Sequence, residues 1–184
     1  MRSSLRLFLC VTTLTVVVAF QPRVAADSAA EITRDAQAAL KSLYAQNPGA
    51  KKIGQESIAI LVFPEVTKAG LGIGGQSGEG ALFRGAKVTA YYRTSGASIG
   101  LQAGAQKYGY ALFFLSEETL KSLDSNNGFE VGVGPSVVIA DQGVAKSTTT
   151  TTVKDKIYAF IFDQKGAMAA LGIQGNKVTK IDKK

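Results

Sequence analysis

The 184-residue chain contains no histidine and only one cysteine, Cys10. Without histidine there can be no Ser-His-Asp or Cys-His catalysis and no histidine-ligated metal. A lone cysteine excludes an intrachain disulfide and any cysteine-built zinc or iron–sulfur site. Charge is sparse as well: 19% of residues are charged and 46% apolar, which is too hydrophobic for a disordered chain. The length fits one domain with a sizeable core. Most familiar enzyme chemistry is therefore out of reach, and no cofactor is expected.

Residues 1–26 read as a secretory signal peptide. Arg2 and Arg6 make a positive start, residues 7–20 (LFLCVTTLTVVVAF) are apolar, and Val24-Ala25-Ala26 offers a cleavage site before Asp27. The apolar run is shorter than the roughly 20 residues of a membrane span, which disfavours an uncleaved anchor. Cys10 lies inside the run, not just after it, so it is a poor site for a lipid anchor. The expected product is exported, periplasmic or secreted, and begins at Asp27. Processing removes Arg2, Arg6 and Arg23 and no acidic residue, so the formal charge falls from +7 to about +4. That mild excess favours an anionic partner. A nucleic-acid binder would cluster its basic residues more strongly, so none is expected.

The rest of the chain, 27–184, reads as a single domain. Ser28-Ala29-Ala30-Glu31 has the form of a capping box, and Ile32, Ala36, Leu40, Leu43 and Tyr44 follow at helical spacing. The pattern predicts a helix over 28–46 that stops at Asn47-Pro48-Gly49. Its charges, Glu31, Arg34, Asp35 and Lys41, cancel. Residues 57–63 (SIAILVF) predict a buried strand ended by Pro64. Beyond it, Leu71 and Ile73 alternate with Gly70, Gly72 and Gly74, and Phe129, Val131 and Val133 with Glu130, Gly132 and Gly134. Strands with one bare face can curl tightly or admit another backbone. Further strands are expected at 87–93, 98–104, 107–114, 156–162 and 176–181, with a short helix over 116–123. The Thr-rich 146–156 could be a loop or an edge strand. The fold class is α+β: a strongly twisted, Gly-rich antiparallel sheet or partial barrel of seven to nine short strands, with an N-terminal helix and one further short helix.

Few motifs carry chemistry. Gly70, Gly72 and Gly75 satisfy G-x-G-x-x-G, but a dinucleotide loop must run into a helix. Here Gln76-Ser77-Gly78-Glu79-Gly80 follows, so the glycines belong to the sheet. Glu56, Glu65, Glu79, Glu130 and Asp141 could serve as acids or bases by type, yet no spacing pairs them. The tyrosines and phenylalanines of the strands read as core. Lys51 and Lys52 follow the first helix and Lys68 precedes the Gly-rich strand. Lys87, Thr89, Tyr91 and Arg93 share one strand face.

The order of SIAILVFPEVTKAGLGIGGQSGEGAL, AYYRTSGASIGLQAGAQKYGYALFFLSEETLKSL, FEVGVG and IYAFIFDQKGAMAALGIQGNKVTKI resembles the SYLF domain family over residues 30–184. The resemblance implies a noncatalytic module that binds phosphoinositide or other anionic lipid at a membrane surface, with actin binding in eukaryotic relatives. By position it points to Lys51, Lys52 and Lys68 as lipid contacts. In an exported chain it shifts the ligand to generic anionic phospholipid. The alternative is an envelope interaction protein with a protein partner in place of lipid.

Overall fold

The computed structural model describes residues 27–124, 129–131, 137–139, 157–166 and 175–183. The expected signal peptide and the Thr-rich 146–156 lie outside these residues. Helix α1 (Ala29–Gln46) begins where expected: Ser28 Oγ accepts the Glu31 N–H and the Glu31 carboxylate accepts the Ser28 N–H, closing a capping box. Ile32, Ala36 and Leu43 are its buried stripe. Asn47 ends α1 by donating its N–H to Leu43 O, and its side chain then accepts the Ala50 N–H, capping a second helix, α2 (Pro48–Glu56). The expectation that Asn-Pro-Gly only stops a helix is corrected here. Proline fits the first helical turn, where its missing N–H is not needed.

Strand β1 (Ala59–Arg84) and strand β2 (Lys87–Phe114) form one long antiparallel hairpin. Its two-residue loop has Gly85 at φ 59° in the first position, the glycine placement of a type II′ turn. A short helix, α3 (Glu117–Lys121), follows. Strands β3 (Phe129–Glu130), β4 (Val137–Ile139), β5 (Ile157–Gly166) and β6 (Lys177–Ile181) complete the sheet. β2 is central: β1 runs along one side, while β5 pairs with its second half and β6 with its first half on the other. All pairs are antiparallel except β4 with β5, which is parallel. The α+β class and the curled, glycine-rich sheet hold. The many short strands of the sequence reading are instead two very long strands that bend.

The bends follow from local chemistry. Pro64 does not end the first strand. It sits with Glu65 where the register slips between Phe63 and Val66, opposite the shorter Gly109 side, a bulge in which proline needs no ladder partner. A second irregularity lies between Leu71 and Ile73, where a Cβ on Gly70 would lie 2.7 Å from Ile73 O. The hairpin therefore folds back over itself. A Cβ on Gly78 would sit 2.5 Å from Glu65 O, and one on Gly80 would run into Val62 O and lie 2.7 Å from Phe63 Cδ1. Bare glycine lets the two halves of β1 cross at backbone contact.

Curling creates two cores. Leu61, Phe63, Leu82, Tyr92, Tyr110, Leu112, Phe114, Ile157 and Val178 fill the inside of the curl. Ile60, Val62, Ala81, Phe83, Phe113, Tyr158 and Phe160 pack on the outside under Ile32, Ala36, Leu43 and Ile53 of the helices. Residues 59–63 are buried on both faces, which is why their sequence is continuously apolar. The inside also carries a polar chain. Tyr110 Oη donates to Thr94 Oγ1 at 2.6 Å, Tyr108 Oη to Gln76 Oε1 at 2.7 Å, and Gln76 Nε2 to Asn176 Oδ1.

Tyr92 sits inside the same core, with Asp124 Oδ1 3.4 Å from its hydroxyl. Burial, and then the neighbouring carboxylate, push its pKa up to about 12. An unfolded tyrosine titrates near 10. Below that pH both states hold the proton and nothing is lost. Above it the unfolded chain ionises first, so stability falls as pH rises from about 10 towards 12. Thermal melts across this range, read with tyrosinate absorbance, should show that fall. Tyr92→Phe should flatten part of it.

Candidate functional site

Lys51 and Lys52 lie on α2 and are exposed, while Gly49, Ala50 and Ile53 form its buried face. Lys68 is elsewhere: it is 6% exposed, inside the curl. It pairs in register with Gln106, which is 2% exposed, and cross-strand partners share a face. The bulge at Pro64 explains the placement. Before it, Leu61 and Phe63 point inward; after it, Val66 does, so the inward parity changes from odd to even and carries Lys68 with it. Lys51 and Lys52 are therefore exposed together on α2, and Lys68 does not join them.

Lys51 lines a groove of about 520 Å³. Gln37, Leu40, Lys41, Tyr44 and Ala45 of α1 form one wall, and Phe83, Gly85 and Ala86 at the hairpin end form the other. The α1 residues recur at three- and four-residue spacing and so share one helix face. Tyr44 is seated over α2 at Gly54, where a Cβ would lie 2.7 Å from Tyr44 Cζ. Leu40, Tyr44 and Phe83 pack on the outer core and give the groove an apolar floor.

Lys41 is the functional candidate the sequence reading passed over, because the charges of α1 sum to zero. The structure spends those charges unevenly. Glu31 closes the capping box, and Arg34 pairs with Asp35 at 2.8 Å. Among the described residues neither Lys41 nor Lys51 takes part in an ion pair. Arg84 lies beside the hairpin turn but is held by Glu117 through two hydrogen bonds, of 3.0 and 2.8 Å. The groove therefore presents two lysines over carbon.

The other side of α1 gathers carboxylates, most of them paired with cations. Asp27, Asp35, Glu65, Glu79 and Asp163, with Arg93, line a cleft of about 890 Å³. Its best-buried carboxylate, Glu79, meets Arg93 and Lys183 at 2.6 Å each. Burial alone would raise its pKa, but hydrogen bonds from Lys183 and Arg93 hold it below the usual range. Glu65 pairs with Lys107 at 2.6 Å. Among the described residues no three acidic or sulfur ligands converge as a metal site would require; Asp141 lies outside them. On the strand face of Lys87, Thr89, Tyr91 and Arg93, the last three are engaged, Thr89 Oγ1 by donating to Leu82 O at 3.3 Å. Tyr91 Oη lies 2.9 Å from Thr33 Oγ1, and Arg93 is the partner of Glu79. The G-x-G-x-x-G glycines lie within β1, which continues to Arg84 with no helix after them.

Residues 95–184 match the family model described as Ysc84: Las17-binding protein actin regulator. No curated protein gives a significant match. The match begins within β2, whose partner along its whole length is β1. The folded sheet thus reaches back beyond the matched residues, and the groove at 37–86 lies outside them.

Proposed function

We propose, from the match of residues 95–184 to the Ysc84 (SYLF) family model, that the chain is an exported, noncatalytic protein that binds anionic lipid through the groove between α1, α2 and the hairpin end. The observation that carries this reading is the pairing of an apolar floor with two lysines, Lys41 and Lys51. An anionic phospholipid offers the matching halves, a negative headgroup and a hydrocarbon chain. The leader-like residues 1–26 support export. The absence of histidine and the commitment of Glu79 to two cations favour binding over catalysis.

The family description names a protein partner, which favours a second reading: contact with a protein through the sheet of residues 95–184. Co-sedimentation of residues 27–184, which hold every described element of the fold, separates the two. Lipid binding predicts pelleting with anionic vesicles, none with neutral ones, and a loss as salt rises, since exposed charges are screened within about 10 Å at 0.1 M. No pelleting with either vesicle would overturn the lipid reading in favour of the protein partner.

A further inference from the structure

We infer that the groove takes one hydrocarbon chain with a single anionic head, a carboxylate or a phosphate, and so binds a monomeric single-chain amphiphile as well as touching a bilayer. The inference rests on the lipid reading of the same site and goes beyond it. Surface attraction to a membrane needs only exposed lysines. This site has more: a half-buried floor of Leu40 and Tyr44 beside the largely buried Phe83, with its hairpin side built from small residues, Gly85 and Ala86.

The volume, about 520 Å³, lies in the range of pockets that enclose one small ligand. The groove is open along one side, bounded by two helices and one turn. The head is specified by charge. Lys41 comes from α1 and Lys51 from α2, and Asn47, which caps both helices, fixes the angle between them. Arg84 is neutralised by Glu117, and no acidic residue lines the groove. Two ammonium groups beside a carbon floor favour a carboxylate or phosphate and repel a cationic head of the same chain length.

The chain has no tryptophan, so Gln37→Trp, at an exposed position on the groove wall, places the only indole there, excited selectively at wavelengths where tyrosine no longer absorbs. In residues 27–184 carrying it, laurate below its micellar concentration should give a saturable blue shift. Dodecyltrimethylammonium, with the same chain and the opposite head, should bind at least on the order of tenfold more weakly, a difference of about 1.4 kcal/mol. Ala86→Phe, which fills the groove from an exposed turn position, should abolish the laurate response while circular dichroism shows the fold intact. Equal response to the two head charges, or laurate binding untouched by Ala86→Phe, overturns the inference. No laurate response alongside salt-sensitive vesicle binding also overturns it and leaves the bilayer reading standing. Failure of both laurate and vesicles removes the lipid reading itself.

Discussion

Gly80→Val should cost about 3 kcal/mol of stability or more, and Gly78→Val should cost nearly as much. Overpacking typically costs about 1–3 kcal/mol because neighbouring side chains can give way. Here the obstacles include backbone. A Cβ on Gly80 runs into Val62 O, and one on Gly78 reaches Glu65 O at 2.5 Å. Val62 is fully buried and paired with Ala111, and Glu65 lies in the bulge that turns β1, so moving either carbonyl disturbs the ladder or the bend. Gly75→Val is the control, since the nearest atom to its added Cβ, Gly96 O, is 4.0 Å away. There valine should be neutral or slightly favourable, given its preference for strands. Urea unfolding of the three variants reads the difference. A Gly80→Val protein as stable as Gly75→Val would mean that the two halves of β1 do not cross.

The contrast among these glycines also shows where sequence reading reaches its limit. Glycine on alternate positions announces a bare face, and the curl follows from it. Which glycine touches another backbone depends on where the strand folds back, and that is set by a register slip no periodicity reveals. The run at 57–63 was legible because every second residue finds a different core: Leu61 and Phe63 inside the curl, Ile60 and Val62 beneath the helices. Helix α1 was legible from its cap and stripe. Pro64 was not, because proline ends a central strand but is tolerated at a bulge of a strand paired on one side, as β1 is among the described residues. Helix α2 was hidden because Asn47-Pro48 serves as an end and a beginning at once.

The same limits shaped the candidate site. Lys51 could be found from sequence as a basic residue just after a helix. Lys68 was misassigned to a surface because the bulge reverses strand parity between Phe63 and Val66, and counting by twos cannot see that. Lys41 was overlooked because net helix charge says nothing about which charges are already committed. The family match, at 95–184, covers the centre of the sheet and not the groove. The fold is therefore anchored by one part of the chain, and the proposed lipid contact sits in another.

Charge reversal at the groove should abolish vesicle binding: Lys41→Glu with Lys51→Glu should weaken it on the order of 1000-fold. Each basic residue near an anionic surface is worth about 1 kcal/mol. Exchanging it for a carboxylate removes that attraction and adds a comparable repulsion. Two reversals therefore amount to about 4 kcal/mol, or three powers of ten. Both side chains lie on helix surfaces without ion-pair partners among the described residues, so the fold should survive, as circular dichroism would verify. Lys52→Glu, on the same helix but outside the groove lining, should lose about tenfold through the general field alone. Lys68→Met should bind vesicles like the parent, because a side chain 6% exposed inside the curl cannot reach a membrane. Its stability should be little changed, since methionine keeps an apolar stem of similar length in the same place. Raising the salt should narrow the gap between parent and double reversal. Should the double reversal pellet with anionic vesicles as the parent does, the groove lysines have no part in binding. Should Lys68→Met be the damaging change instead, the anionic group is read inside the curl.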